Sequence, residues 1–167
     1  MSETQSVLVD TIPLAVITVR EPVTGNRWID ERWQVLGVVA GQTSEQIERR
    51  VLRTGPEGEQ YLWTGLVLRL HRNEADSYYY NIVGQNPSVY VYCVTDDSGE
   101  PRPRAITADY IEAMSHAEAG NVTYPVPMPP EVYRCIEQFV LEHYTPAEGK
   151  MKRKHEQQKV GGIWEDE

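Results

Sequence analysis

The sequence predicts an α+β fold, an antiparallel β-sheet or partly open barrel of about five to seven strands, capped by a C-terminal α-helix and carrying one short additional helix. Three observations predict it. Up to residue 105 the chain is rich in Val, Tyr, Trp and Thr, set in short runs between Gly, Pro, Asn and Asp, as strands and tight turns require. Beyond residue 105 the apolar spacing changes from two to three and four. A length of 167 residues suits one domain that buries its own core without disulfides or a structural metal.

Strands are expected at 12–20, 33–39, 59–71, 76–83 and 88–95. The third is the best defined. Leu62, Leu66, Leu68 and Leu70 fall on alternate positions with Thr64 between them, so they share a core face while Arg69 and His71 point away. Breaks at 24–26, 54–59 and 96–103 hold the Gly, Asp and Pro that turns need. Thr107 is a plausible N-cap for a short helix that sets Tyr110, Ile111 and Met114 on one side. The closing helix starts near Pro130, where a missing N–H does no harm, and Glu131 suits the positive end of its dipole. Val132, Cys135, Ile136, Phe139, Val140 and His143 then form one apolar stripe, which ends before Pro146. Residues 1–146 read as a single domain and 147–167 as a flexible charged tail, in which Lys150, Lys152, Arg153 and Lys154 cluster and Gly161–Gly162 break any helix. Trp164 in that tail, beside Ile163 and three acidic residues, either folds back on the domain or floats, or it serves as a linear-motif anchor.

Sixteen Lys and Arg against twenty-five Asp and Glu give a net charge of -9, which argues against nucleic acid or an anionic membrane as partner. No apolar run approaches the ~20 residues that span a bilayer, and the start MSETQSVLVD lacks a signal-peptide pattern, so the expected location is cytoplasmic. Cys93 and Cys135 read as buried thiols.

The common chemical signatures are missing. There is no phosphate-binding glycine loop and no nucleophile elbow, and His71, His116, His143 and His155 are too scattered to suggest a zinc site. No cofactor or metal is expected from the sequence. The stretch LHRNEADSYYY carries the remaining candidates. His71, Arg72 and Glu74 form either a polar cluster able to grip an anion or a strand-end corner fixed by ion pairs. On a strand, Tyr78, Tyr79 and Tyr80 must alternate between faces, and with Tyr61, Trp63, Tyr90 and Tyr92 they build either an aromatic docking face or a face covered by the helix or the N-terminal segment.

Several segments, in order, carry a family resemblance: WIDERWQVLGVV, LRLHRNEADSYYYNI, PSVYVYCV, TADYIEA and YPVPMPPEVYRCIEQFVLEHY, followed by a Lys/Arg cluster. Together they resemble a proteobacterial family known as domain of unknown function 3305. The resemblance covers most of residues 12–154, most specifically Leu70-His71-Arg72 with Glu74, Pro87 to Val91, and Val126 to Pro129. It implies a gene neighbourhood of molybdenum-dependent formate dehydrogenases and an accessory role. Some members carry the label of a molybdopterin-guanine dinucleotide biosynthesis protein. Residues 12–40 hold only Gly25 and Gly37, well apart, so the phosphate loop of such an enzyme cannot form there.

Two readings follow. One is a non-catalytic assembly or maturation factor that binds a protein partner, a formate dehydrogenase subunit or another maturation factor, through its aromatic face and tail. The other is a carrier of, or enzyme acting on, a small anion or the molybdenum cofactor, using a pocket around His71 and Arg72. The acidic charge favours the first. An open edge strand also leaves homodimerisation open.

Overall fold

The computed structural model describes residues 8–25, 27–28, 31–41, 43–118 and 121–146; the expected tail and Trp164 lie outside these. Among the described residues seven strands form one sheet: β1 Leu8–Pro22, β2 Glu31–Ala40, β3 Glu48–Gly55, β4 Gly58–His71, β5 Ser88–Thr95, β6 Pro101–Thr107 and β7 Val122–Pro127. Three α-helices join it: α1 Ala75–Val83, α2 Tyr110–Glu118 and α3 Pro130–His143, with a 3-10 turn over Arg72–Glu74. The strand order is β2-β1-β4-β6-β5-β7, with β3 also paired to β4. The two ends of this order, β2 and β7, approach each other, so the sheet is a nearly closed barrel.

The architecture departs from the expected antiparallel sheet in one pairing. β4 and β6 run parallel and meet at Leu68 and Ile106, whereas every other pair is antiparallel, so the sheet is mixed. The upstream half of β4 pairs with β3 from Gly58 to Thr64, and β6 takes over the same edge further on. The handover coincides with an irregularity. Leu14 pairs with Leu66 and Val16 with Trp63, so three steps along β4 match two along β1. Such a bulge reverses the alternation of side chains. Tyr61 and Trp63 join the core before it, and Leu66, Leu68 and Leu70 after it. Leu62 is buried but lies outside that core cluster, contrary to the face expected for it.

Gly65 makes the bulge. Its φ is +86°, and a Cβ there would lie 2.1 Å from the Gln46 carbonyl oxygen. The crossing segment is tied down by Ser44, whose Oγ donates to the Gln46 carbonyl at 2.8 Å and lies 2.9 Å from the Thr64 hydroxyl.

The stretch expected as a strand at 76–83 is a helix instead. Ala75, Tyr78 and Ile82 are buried at spacings of three and four, and Asp76 sits in the first turn where the dipole favours an anion. This tertiary contact overrides the strand preference of three tyrosines. α1 packs on α3, with the Tyr78 ring edge-on to Phe139 at 5.7 Å. α3 itself closes the core as expected, with Val132, Ile136, Phe139 and Val140 buried. Cys135 is exposed, correcting the expectation of a buried thiol, whereas Cys93 is buried. With α1 there are two helices besides the C-terminal one, against the single one expected.

β3, β6 and β7 were not expected. β3 is exposed throughout, so it has no apolar alternation to read. β6 alternates buried Pro101 and Pro103 with exposed Arg102 and Arg104, and β7 holds Pro125 and Pro127. Proline argues against a strand except at bulges and edges. Here the β5–β6 register shifts between Tyr92 and Cys93, opposite Pro103, and β7 is an end strand.

Candidate functional site

The 3-10 turn and α1 divide the predicted site residues between two surfaces. Tyr78 is in the core, and its hydroxyl accepts the His71 backbone N–H at 3.0 Å. Burial raises the Tyr78 phenol above its ordinary range. Tyr79 is half-buried and stacks on Tyr144, with ring centroids 4.4 Å apart. Tyr80 is 56% exposed, one helical step from its neighbours. The three tyrosines therefore share no sheet face with Tyr90 and Tyr92, which are half-buried on β5 opposite Val89, Val91 and Cys93. Arg72 is exposed and lines neither of the two clefts that take up its neighbours.

The first cleft lies between α1, the start of α2 and β5, and has a volume of about 790 Å³. Tyr80, Tyr90, Tyr110 and Ile111 supply its apolar surface, and Glu74, Asp76 and the amides of Asn73, Asn81, Gln85 and Asn86 supply its polar surface. Tyr90 and Tyr110 meet edge-on at 6.0 Å, while Tyr110 and Ile111 are 56% and 73% exposed. Their exposure follows from the cap of α2. Asp109, not Thr107, holds the helix start: its Oδ1 accepts the Ile111 N–H at 3.0 Å, and its own N–H donates to the Thr107 hydroxyl. Ala113 is buried on the inner side of α2, which leaves Tyr110, Ile111 and Met114 facing out.

Two side chains fix the walls. Asn81 donates to the carbonyls of Ser88 and Ala108 at 2.7 and 3.0 Å and accepts the Ser88 N–H, joining α1 to β5 and to the start of α2. Ser77 donates to Asp109 at 2.7 Å. Burial, a hydrogen bond with the Asp109 carboxyl, and the charges of Asp109, Glu112 and Asp76 together push the Glu74 carboxyl above its ordinary range. Ser77 is thus bonded to a carboxylate, and no histidine among the described residues lines this cleft. The arrangement is a hydrogen-bonded surface with an apolar centre and a polar, acidic margin.

The second cleft, of about 310 Å³, opens on the outer face of the sheet where β3 leaves β4 and β6 joins it. Arg69 and His71 reach it from β4, Tyr92 from β5, Arg104 from β6, and Glu112 and His116 from α2. Tyr92 and His116 stack with centroids 4.2 Å apart and planes 8° from parallel. Among the described residues no group of three His, Cys, Asp or Glu side chains is placed to hold a metal ion.

A family model described as Protein of unknown function (DUF3305) matches residues 13–154, from within β1 to beyond α3. The chain belongs to that family. Neither the comparison with curated proteins nor that with solved structures gives a match. No helix among the described residues of this DUF3305 chain is long and apolar enough to cross a membrane.

Sequence reasoning singled out His71, Glu74, Tyr80, Tyr90 and Tyr92, which the structure divides between the two clefts, and it did not single out Asn81, Asp109 or Arg104. Asp109 was legible: an acidic residue immediately before an apolar helical run is a cap signal. Arg104 was hidden because its strand is interrupted by prolines.

Proposed function

We propose that this protein is a non-catalytic accessory factor that works in the cytoplasm by binding another protein, and that its docking surface is the tyrosine cleft between α1, α2 and β5. The exposure of Tyr80, Tyr110 and Ile111 around a cleft of about 790 Å³ carries this reading. An apolar centre with an amide and carboxylate margin has the anatomy of a protein interface, where aromatic anchors supply most of the affinity. The acidic margin suits a segment bearing an aromatic or aliphatic anchor flanked by basic residues. The gene neighbourhood implied by the family resemblance makes a subunit or maturation factor of a molybdenum-dependent formate dehydrogenase the proposed source of that segment.

The test is co-purification of the full chain with the subunits of the formate dehydrogenase from its own host, compared with Ile111→Asp and Tyr110→Ala. Both side chains are mostly exposed, so folding is expected to survive, which circular dichroism checks. Capture is expected to fall at least ~30-fold for Ile111→Asp, as befits a charge forced into an apolar contact. Capture unchanged in both variants overturns the reading.

A further inference from the structure

The seam between the two halves of the sheet carries a second site. The β4–β6 junction has a single parallel register pair, and the bulge at Gly65 turns β4 just as β3 departs, so the outer face is left open by construction. Arg69 and His71 stand two residues apart on the outer side of β4, and Arg104 on the adjoining β6, Tyr92 on β5 beyond it and His116 on α2 line the same cleft. Arg20, Arg32, Arg49 and Arg102 each pair with a carboxylate. Arg69 and Arg104 have no such pairing among the described residues. In a chain of net charge -9, the two guanidinium groups of this cleft outnumber its one carboxylate and make it a local positive island. The opposing charge there is Glu112, on the exposed side of α2.

We propose that this cleft binds a tetrahedral oxyanion of the phosphate class, held between Arg69 and Arg104 with the imidazoles of His71 and His116 and the Tyr92 hydroxyl as further donors. Guanidinium groups match such an anion because their N–H pairs are spaced for two oxygens at once. A volume of about 310 Å³ also exceeds what a bare anion fills, and the flat Tyr92–His116 stack offers a wall for a small planar group attached to it. The site lies apart from the tyrosine cleft and stands whether or not that cleft binds a protein.

The amide NMR spectrum of the full-length chain, titrated with inorganic phosphate and separately with phenyl phosphate against matched chloride, tests this. Saturable shifts are expected around His71, Tyr92, Arg104 and His116. Arg69→Gln and Arg104→Gln, both at exposed positions, are each expected to weaken binding about tenfold or more without changing the circular dichroism. Glu112→Gln is expected to tighten it, because it removes the opposing charge. Tighter binding of phenyl phosphate assigns the ligand as a phosphate monoester, and equal binding assigns it as the free anion; both uphold the site. No saturable change at concentrations on the order of 10 mM overturns it. So do shifts centred elsewhere, or a folded Arg69→Gln/Arg104→Gln double variant that binds as well as the parent.

Discussion

Replacing Gly65 by alanine tests the account of the sheet at its most constrained point. The backbone there has φ +86°, which costs an L-residue about 1–2 kcal/mol. The new Cβ would stand 2.1 Å from the Gln46 carbonyl oxygen and 2.9 Å from the Ser44 hydroxyl, and both neighbours belong to one tied segment. That segment must move by about an ångström to restore ordinary contact, which breaks the hydrogen bond between Ser44 and Thr64. Thr64 is fully buried, so its hydroxyl is then left without a partner, at a further cost of about 1–3 kcal/mol. The sum, about 2–5 kcal/mol, is a large share of the ~5–15 kcal/mol that holds a domain together. It corresponds to a melting point lower by about 10 °C. Urea unfolding followed by tryptophan fluorescence measures the loss. Gly37→Ala is the control, because Gly37 has an ordinary φ and nothing within 4 Å of a Cβ, so its stability should be unchanged or slightly higher. A loss below about 1 kcal/mol for Gly65→Ala would falsify the assignment of that residue as the pivot between β3 and β6.

Two further outcomes follow from the same structure. Burial alone pushes the Cys93 thiol up to about 12, while Cys135 is exposed, so a thiol reagent at about pH 8 should modify Cys135 in the native chain and reach Cys93 only after unfolding; rapid native labelling of both, seen by mass spectrometry, contradicts the burial of β5. The Asp96 carboxyl is held down to about 2, first by the Ser98 hydroxyl and then by Arg102 and the backbone N–H groups of Glu100 and Ser98. Because its folded value lies below the ordinary one of about 4, its contribution to stability is complete above that pH and is lost as the pH falls towards 2. A carboxyl-carbon NMR titration should give a midpoint near the lower value; a midpoint near 4 means that the β5–β6 turn is not closed by this side chain.

Where one period dominated and no proline intervened, the sequence was enough to read the element. β5 lies at 88–95 as expected, and β4 and α3 fall within a residue or so of their expected bounds, because Val-Tyr alternation and the Val132, Ile136, Phe139, Val140 spacing each favour one conformation. The net charge of -9 was likewise a property of composition alone. Other elements were decided by what they pack against. Tyr78 and Ile82 become a helical face because Phe139 on α3 is there to meet them, although three adjacent tyrosines favour a strand locally. β3 has no buried residue and exists through its pairing with β4, and β6 tolerates its prolines beside a register shift. Both clefts have the same origin. Tyr80 and Tyr110 are 30 residues apart, and Arg69 and Arg104 are 35 apart. Each pair converges through chain closure that no local pattern encodes, since hydrophobic periodicity specifies which face is buried but not which distant residues that burial brings together.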